Sequence, residues 1–237
     1  MFSFTYADIA KMMDHSLLQQ VLTDAELEDG CRLARAYNVA SVCIKPYAVP
    51  VAVALLQGST VAVGTTVGFP HGGHSTPIKV AEAEKALAEG ARELDMVVNI
   101  GKVLSKDWRY VAADIQAVVE AAHRGRALLK VIFENCFLQD EHKEQLCRIC
   151  GEAGADFVKT STGYGATGAL DEDLKLMRRC SPPHVKVKAA GGVRNFERVL
   201  AVRALGVSRI GATATRQILD ECKQRLHDTV DVKTLSS

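Results

Sequence analysis

Eight times in succession a short strand-like run is followed by a helix-like run, with no linker and no break in composition between units. A strand that returns through a helix pairs parallel with its predecessor, so the pattern implies a parallel sheet. Eight such units in 237 residues are the count of a closed (β/α)8 barrel. The alternative is an open doubly wound sheet. The expected strands are 12–16, 40–44 (stopped by Pro46), 60–67, 93–99, 127–134, 156–159, 185–188 and 208–211. Thr5-x-x-Asp8 resembles a capping box and opens a short N-terminal helix; Thr23-x-x-Glu26 is a full one. Thr76 followed by Pro77 reads as an N-cap with proline at the first helical position. Ser105 and Asp140 are expected to cap the next two helices, and another starts near Asn195. The fold class expected is α/β, one (β/α)8 TIM barrel domain over residues 1–237.

Composition excludes several functions. With 48% hydrophobic residues the chain can bury a sizeable core, and a formal net charge of +1 provides no field for nucleic acid or a membrane surface. No apolar run reaches membrane-spanning length. Met1-Phe2-Ser3-Phe4-Thr5 lacks the basic and apolar regions of a signal peptide. Seven scattered cysteines suit a reducing compartment, so a cytoplasmic protein is expected. Cys147-x-x-Cys150 lies inside a helical pattern with no second pair at metal-site spacing, and reads as part of a buried helix face.

Barrel chemistry sits at the C-terminal ends of strands. There the sequence offers Asp14, Cys43, Asp95, Asn99, Lys130, Glu134, Lys159 and Lys188. Alternation gives Asp95 the parity of Asn99, Lys130 that of Glu134, and sets Phe157 and Lys159 on one face with Val158 and Thr160 on the other. Charges inside a barrel need partners, because unpaired buried charge is costly. They form either a lysine–carboxylate network that fills the barrel, or a Schiff-base site. A free lysine, with a pKa of about 10.4, is an amine in only about one molecule in 2,500 at neutral pH. A pKa brought down to about 7.4 leaves roughly a quarter of it nucleophilic. Burial and a second cation do this. Lys188, on the strand after Lys159, can be that cation, and Asp95 can move a proton together with Lys188.

Four glycine runs follow strands. Gly163-Tyr164-Gly165-Ala166-Thr167-Gly168 matches a dinucleotide fingerprint. Its strand is interrupted by Lys159, however, and the next strand ends in Lys188-Ala189-Ala190-Gly191 without an acidic residue to hold a ribose. Gly191-Gly192-Val193-Arg194 and Gly211-Ala212-Thr213-Ala214 follow the last two strands, where barrels often bind phosphate. Phe69-Pro70-His71-Gly72-Gly73-His74 holds two histidines without an evident third ligand, so no metal is expected.

Taken together, Asp156-Phe157-Val158-Lys159-Thr160-Ser161-Thr162-Gly163 and Lys188-Ala189-Ala190-Gly191-Gly192-Val193-Arg194 resemble the deoxyribose-phosphate aldolase family. Met13-Asp14-His15-Ser16-Leu17-Leu18, Ala40 to Ile44, Val67-Gly68-Phe69-Pro70, Leu94 to Val97 and Lys130 to Glu134 resemble family motifs in family order. The resemblance implies a Schiff base on Lys159, Lys188 lowering its pKa, and Asp95 in the proton relay. It also implies substrate and phosphate contacts at Thr160, Gly163, Gly191, Gly192, Val193, Arg194, Gly211 and Thr213. Asp14, Cys43, Lys130 and Glu134 are expected to stand behind the reacting groups. The reaction implied is reversible cleavage of 2-deoxy-D-ribose 5-phosphate to acetaldehyde and D-glyceraldehyde 3-phosphate. No cofactor or metal is implied, the partners are small molecules, and a homodimer is the assembly considered. The rivals are another Schiff-base sugar-phosphate lyase or transferase, or a silent sugar-phosphate-binding barrel. Two departures stand out. The loop after strand eight keeps a hydroxyl at Thr213 but has Ala214 where the family usually has serine. The tail, Lys233-Thr234-Leu235-Ser236-Ser237, lacks the C-terminal tyrosine of some members.

Overall fold

The computed structural model describes residues 4–235, with side chains described as far as Leu226; Met1, Phe2 and Ser3 and the side chains of the tail lie outside the described residues. Eight parallel strands close into a barrel in chain order, with β1 paired to both β2 and β8. They are β1 Met13–Leu17, β2 Ser41–Ile44, β3 Ala62–Val67, β4 Glu93–Val97, β5 Leu128–Ile132, β6 Phe157–Lys159, β7 Lys186–Ala190 and β8 Arg209–Ala212. Helix α1 (Tyr6–Ala10) precedes β1. The connecting helices are α2 Asp24–Ala36, α3 Val49–Leu56, α4 Thr76–Ala88, α5 Ile100–Leu104, α6 Trp108–Arg124, α7 Asp140–Ala153, α8 Asp171–Cys180 and α9 Phe196–Ala204; α10 (Thr215–Leu235) closes the ring.

The strands invert the usual pattern of a half-exposed sheet. In β4, Leu94 and Met96 alternate with Glu93 and Asp95, and all four are buried. The apolar parity packs against the helices in one core with Val42, Ile44, Leu129, Val131, Val158, Val187, Ala189 and Ile210. Burying each of the valine, leucine, isoleucine and methionine side chains contributes roughly 1.5–3 kcal/mol. The opposite parity turns charge into the barrel. Register sets Asp95 beside Thr66 and Lys130, Lys159 beside Ile132 and Lys188, and Lys188 beside Arg209.

Both capping boxes form as expected, at Thr5 with Asp8 and at Thr23 with Glu26. Three other helix starts differ. Ser75 is the N-cap of α4, so Thr76 and Pro77 are its first two residues, and the Thr76 hydroxyl donates to Asp114 at 2.8 Å. Ser105 is the C-cap of α5, and Asp107 caps α6 by accepting from the Tyr110 amide. Gln139, not Asp140, is the N-cap of α7. Two parity expectations also fail. Asn99 leaves β4 to cap α5, accepting from Lys102 N at 3.1 Å. Glu134 lies beyond β5 with a left-handed backbone (φ 56°), which turns it away from Lys130. β7 runs on to Ala190 because Ala189 and Ala190 pair with Ile210 and Gly211 of β8.

Candidate active site

Lys159, Lys188 and Lys130 come from adjacent or nearly adjacent strands, so their inward parity makes them converge. Asp95 holds all three. Its Oδ2 lies 2.6 Å from Lys159 Nζ and 2.7 Å from Lys188 Nζ, and its Oδ1 accepts from Lys130 at 2.9 Å. Beneath them, Lys130 Nζ donates to Glu93 at 2.6 Å. Asp14 Oδ2 lies 2.6 Å from Lys188 and 3.2 Å from Lys130, as ion pairs without aligned hydrogen bonds. Ser41 donates to Asp14 Oδ1 at 2.7 Å. Arg209 completes the cluster, forking onto Glu93 at 2.6 and 3.0 Å and pairing with Asp14.

Four cations therefore face three carboxylates in a buried interior, leaving one positive charge in excess. The charge balances when one lysine is neutral. Burial pulls the pKa of Lys159 down; Asp95 opposes and Lys188 reinforces, and the lowering prevails. Burial acts on Lys188 and Lys130 in the same sense, but their carboxylate partners outweigh it and raise both. Conversely, burial favours protonating Asp14, Glu93 and Asp95, and the surrounding cations overcome this and hold them below the usual carboxylate range. Lys159 is thus the group in this cluster set to release a proton. Burial pushes the Cys43 thiol up to about 11, so it remains a neutral wall of the site.

Above Lys159 opens a cavity of about 270 Å³. Lys159, Lys188, Asp14 and Cys43 form its floor, while Gly163, Gly191, Gly192, Val193, Arg194, Gly211 and Thr213 line the other side. Gly191 and Gly192 have φ of +82° and +85°, and a Cβ on Gly192 would point into open space. The backbone there is accessible to an anion. The long helix α10 begins two residues after Thr213, adding the positive end of a helix dipole.

Of the residues expected to contact the reacting groups or the phosphate, Asp95 and Thr160 do not line the cavity, whereas Asp14 and Cys43, expected behind them, do. Thr160 donates to Ala190 O and accepts from Ala190 N, both at 3.1 Å, and so joins β6 to β7. Glu134 accepts from the Thr162 amide and hydroxyl and braces the loop under the cavity wall. Lys130 is sealed below Asp95. Sequence reasoning missed Thr162, Tyr164, Ser16, Leu18 and Gln19, which also line the cavity. Tyr164 donates to Leu18 O at 2.6 Å and packs edge-on against Phe69, bridging the loops after β6 and β1. Glu93 and Arg209 were missed as well, although Glu93 has the parity of Asp95.

The dinucleotide-like run is an extended loop. No helix begins until Asp171, and Ala169 N donates to Gly191 O, folding the run onto the loop after β7. His74 Nδ1 lies 3.6 Å from Glu82. Among the described residues no group of three or more His, Cys, Asp or Glu is placed to hold a metal. Cys147 and Cys150 are buried in α7.

Comparison with known proteins agrees with this geometry. The model of the DeoC/LacD family aldolases matches residues 9–221. A deoxyribose-phosphate aldolase from Rhodopirellula baltica is 55% identical over 226 residues, covering 95% of this chain and 94% of that protein. One from Clostridium perfringens is 48% identical over 221 residues, covering 93% and 97%. The tetrameric deoxyribose-phosphate aldolase of Aeropyrum pernix superposes with a TM-score of 0.85 at 28% identity, covering 92% of each chain.

Proposed function

Because the chain belongs to the DeoC/LacD family of aldolases, we propose that it reversibly cleaves 2-deoxy-D-ribose 5-phosphate to acetaldehyde and D-glyceraldehyde 3-phosphate, using Lys159 as a Schiff-base nucleophile. The neutral Lys159 amine adds to the C1 aldehyde of the open-chain sugar to give a carbinolamine, whose hydroxyl takes up a proton and leaves as water, giving a cationic iminium. A base takes the proton of the C3 hydroxyl. The C2–C3 bonding electrons flow into the iminium, leaving an enamine on Lys159 and releasing D-glyceraldehyde 3-phosphate. Protonation of the enamine at C2 and hydrolysis release acetaldehyde and the free amine. Lys188 and Asp95, through water, carry these protons, since both hydrogen-bond within reach of Lys159 Nζ. The phosphate is received by the loops carrying Gly163, Gly191, Gly192, Val193, Arg194, Gly211 and Thr213, with the Thr213 hydroxyl exposed to it.

The observation that carries this reading is the asymmetry among the lysines. Lys159 and Lys188 both line the cavity and Lys130 does not, and of the three Lys159 alone has its pKa lowered, whereas Lys188 and Lys130 are raised. Borohydride reduction in the presence of acetaldehyde should attach an ethyl group to Lys159 and to no other lysine, as read by peptide mass mapping. A stable adduct on Lys188 or Lys130 would overturn the assignment. Among the described residues no helix is long and apolar enough to cross a membrane. The assemblies considered are a homodimer and a tetramer like that of the Aeropyrum pernix protein. Sedimentation equilibrium separates the two.

A further inference from the structure

We propose that Arg209 is a positioning residue that keeps Lys159 in its free-amine form from the far end of the barrel interior. The proposal rests on Lys159 being the nucleophile. Arg209 opens β8 opposite Lys188 in register, does not line the substrate cavity, and keeps its side chain 12% exposed toward the other face of the barrel. Its guanidinium takes Glu93 with both nitrogens and Asp14 with one. Those two carboxylates also hold Lys130 and Lys188, which in turn share Asp95 with Lys159. Arg209 thus belongs to the same electrostatic unit as the nucleophile without touching it.

The count of charges makes its effect definite. With Arg209 present, four cations face three carboxylates, and a proton on Lys159 is the one that leaves the interior unbalanced. Without Arg209, three lysines face three carboxylates, and a protonated Lys159 balances the site. In a medium of low effective dielectric a charge linked through four ion-pair contacts is still felt. The groups facing Lys159 are Asp95 from β4, Lys188 from β7 and Cys43 from β2, with Lys130 from β5 behind Asp95. Those facing Arg209 are Asp14 from β1, Glu93 from β4 and Lys130 from β5, with Lys11, Asp156, His184 and Lys186 around the opening where its outer edge meets water. Phe157, its ring centroid 5.6 Å from the guanidinium, packs against it. A residue that merely plugs the barrel floor would affect stability and leave the proton affinity of Lys159 alone.

The test is the pH dependence of acetaldehyde-plus-borohydride trapping at Lys159, followed by mass mapping, in the wild type and four variants. Arg209→Met should move the acid limb up by about one pH unit, a roughly tenfold loss of trapping rate on the limb. Arg209→Lys, which keeps the charge, should leave the limb near its wild-type position. Glu93→Gln alone should move it down. Arg209→Met combined with Glu93→Gln restores one excess positive charge, so its limb should return toward wild type although its packing is altered twice. An unmoved limb in Arg209→Met, or a limb in the double variant above that of Arg209→Met, overturns the proposal. Should Arg209→Met fail to fold, the double variant compared with Glu93→Gln decides. A limb about one unit higher in the double variant supports the proposal, and equal limbs overturn it. Trapping of the wild type at a lysine other than Lys159 instead overturns the nucleophile itself.

Discussion

Lys188 and Lys159 donate to the same oxygen of Asp95. A cation in that position raises the cost of protonating its neighbour, and it lies deep in the floor among Asp14 and Asp95 rather than at the glycine rim. Lys188→Leu should therefore raise the pKa governing kcat/KM toward that of free lysine and lower kcat at neutral pH by about tenfold or more. Cleavage of unphosphorylated 2-deoxyribose should suffer as much as cleavage of the 5-phosphate. If the unphosphorylated sugar is spared, Lys188 is a phosphate ligand. In the wild type, the lowered pKa of Lys159 puts the active amine above that pKa, so kcat/KM should fall as pH drops through it. Because an iminium serves as the electron sink, exhaustive chelation should leave the lyase rate unchanged. Loss of rate with EDTA, restored by a divalent ion, would bring His71 and His74 into the mechanism.

At the level of elements, the loop from β7 to α9 owes its accessibility to two successive left-handed glycines. Gly192→Val places a branched side chain in the open space before the cavity and forces a strained φ. It should raise KM for the 5-phosphate several-fold and leave kcat/KM for the unphosphorylated sugar within about twofold; equal loss on both substrates would mean that the loop shapes the reacting end instead. The eight strands and their order were legible in the sequence because each has its own apolar parity and a helix-forming run behind it. Lys159, Lys188 and Asp95 were legible because charges are rare at such positions. Helix starts were less so. Ser75, Thr76, Ser105, Asp107, Gln139 and Asp140 can all cap or lead a helix, and tertiary contacts such as Thr76 with Asp114 choose among them. Thr160 illustrates the reverse case. Its parity, that of Val158, already placed it behind the barrel wall, and the family motif drew it wrongly into the cavity. The roles of Glu93 and Arg209 depend on three strands meeting in the interior, which no local pattern encodes.

Over the whole molecule, closure depends on the seam between β1 and β8. There His15, on the outer parity of β1, meets Thr215 of α10 at 2.9 Å, and burial pushes its pKa down to about 4. A neutral buried imidazole gives stability that is complete above the unfolded pKa of about 6.5 and is lost as pH falls toward 4. The loss amounts to about 3 kcal/mol once both states are protonated. His15→Asn, which cannot titrate, should flatten the stability profile between about pH 6.5 and 4 in urea titrations; an unchanged slope would mean that His15 stays protonated in the fold. The odd charge sealed inside this closed wall reaches beyond the resting enzyme. An iminium on Lys159 bears the same positive charge as the ammonium that the interior rejects, and covalent bonding holds it there. Carbon–carbon scission converts it into a neutral enamine. The barrel therefore loads its covalent intermediate electrostatically when dehydration creates it and discharges it in the bond-breaking step. In the synthetic direction the same charge must be restored as the new bond forms.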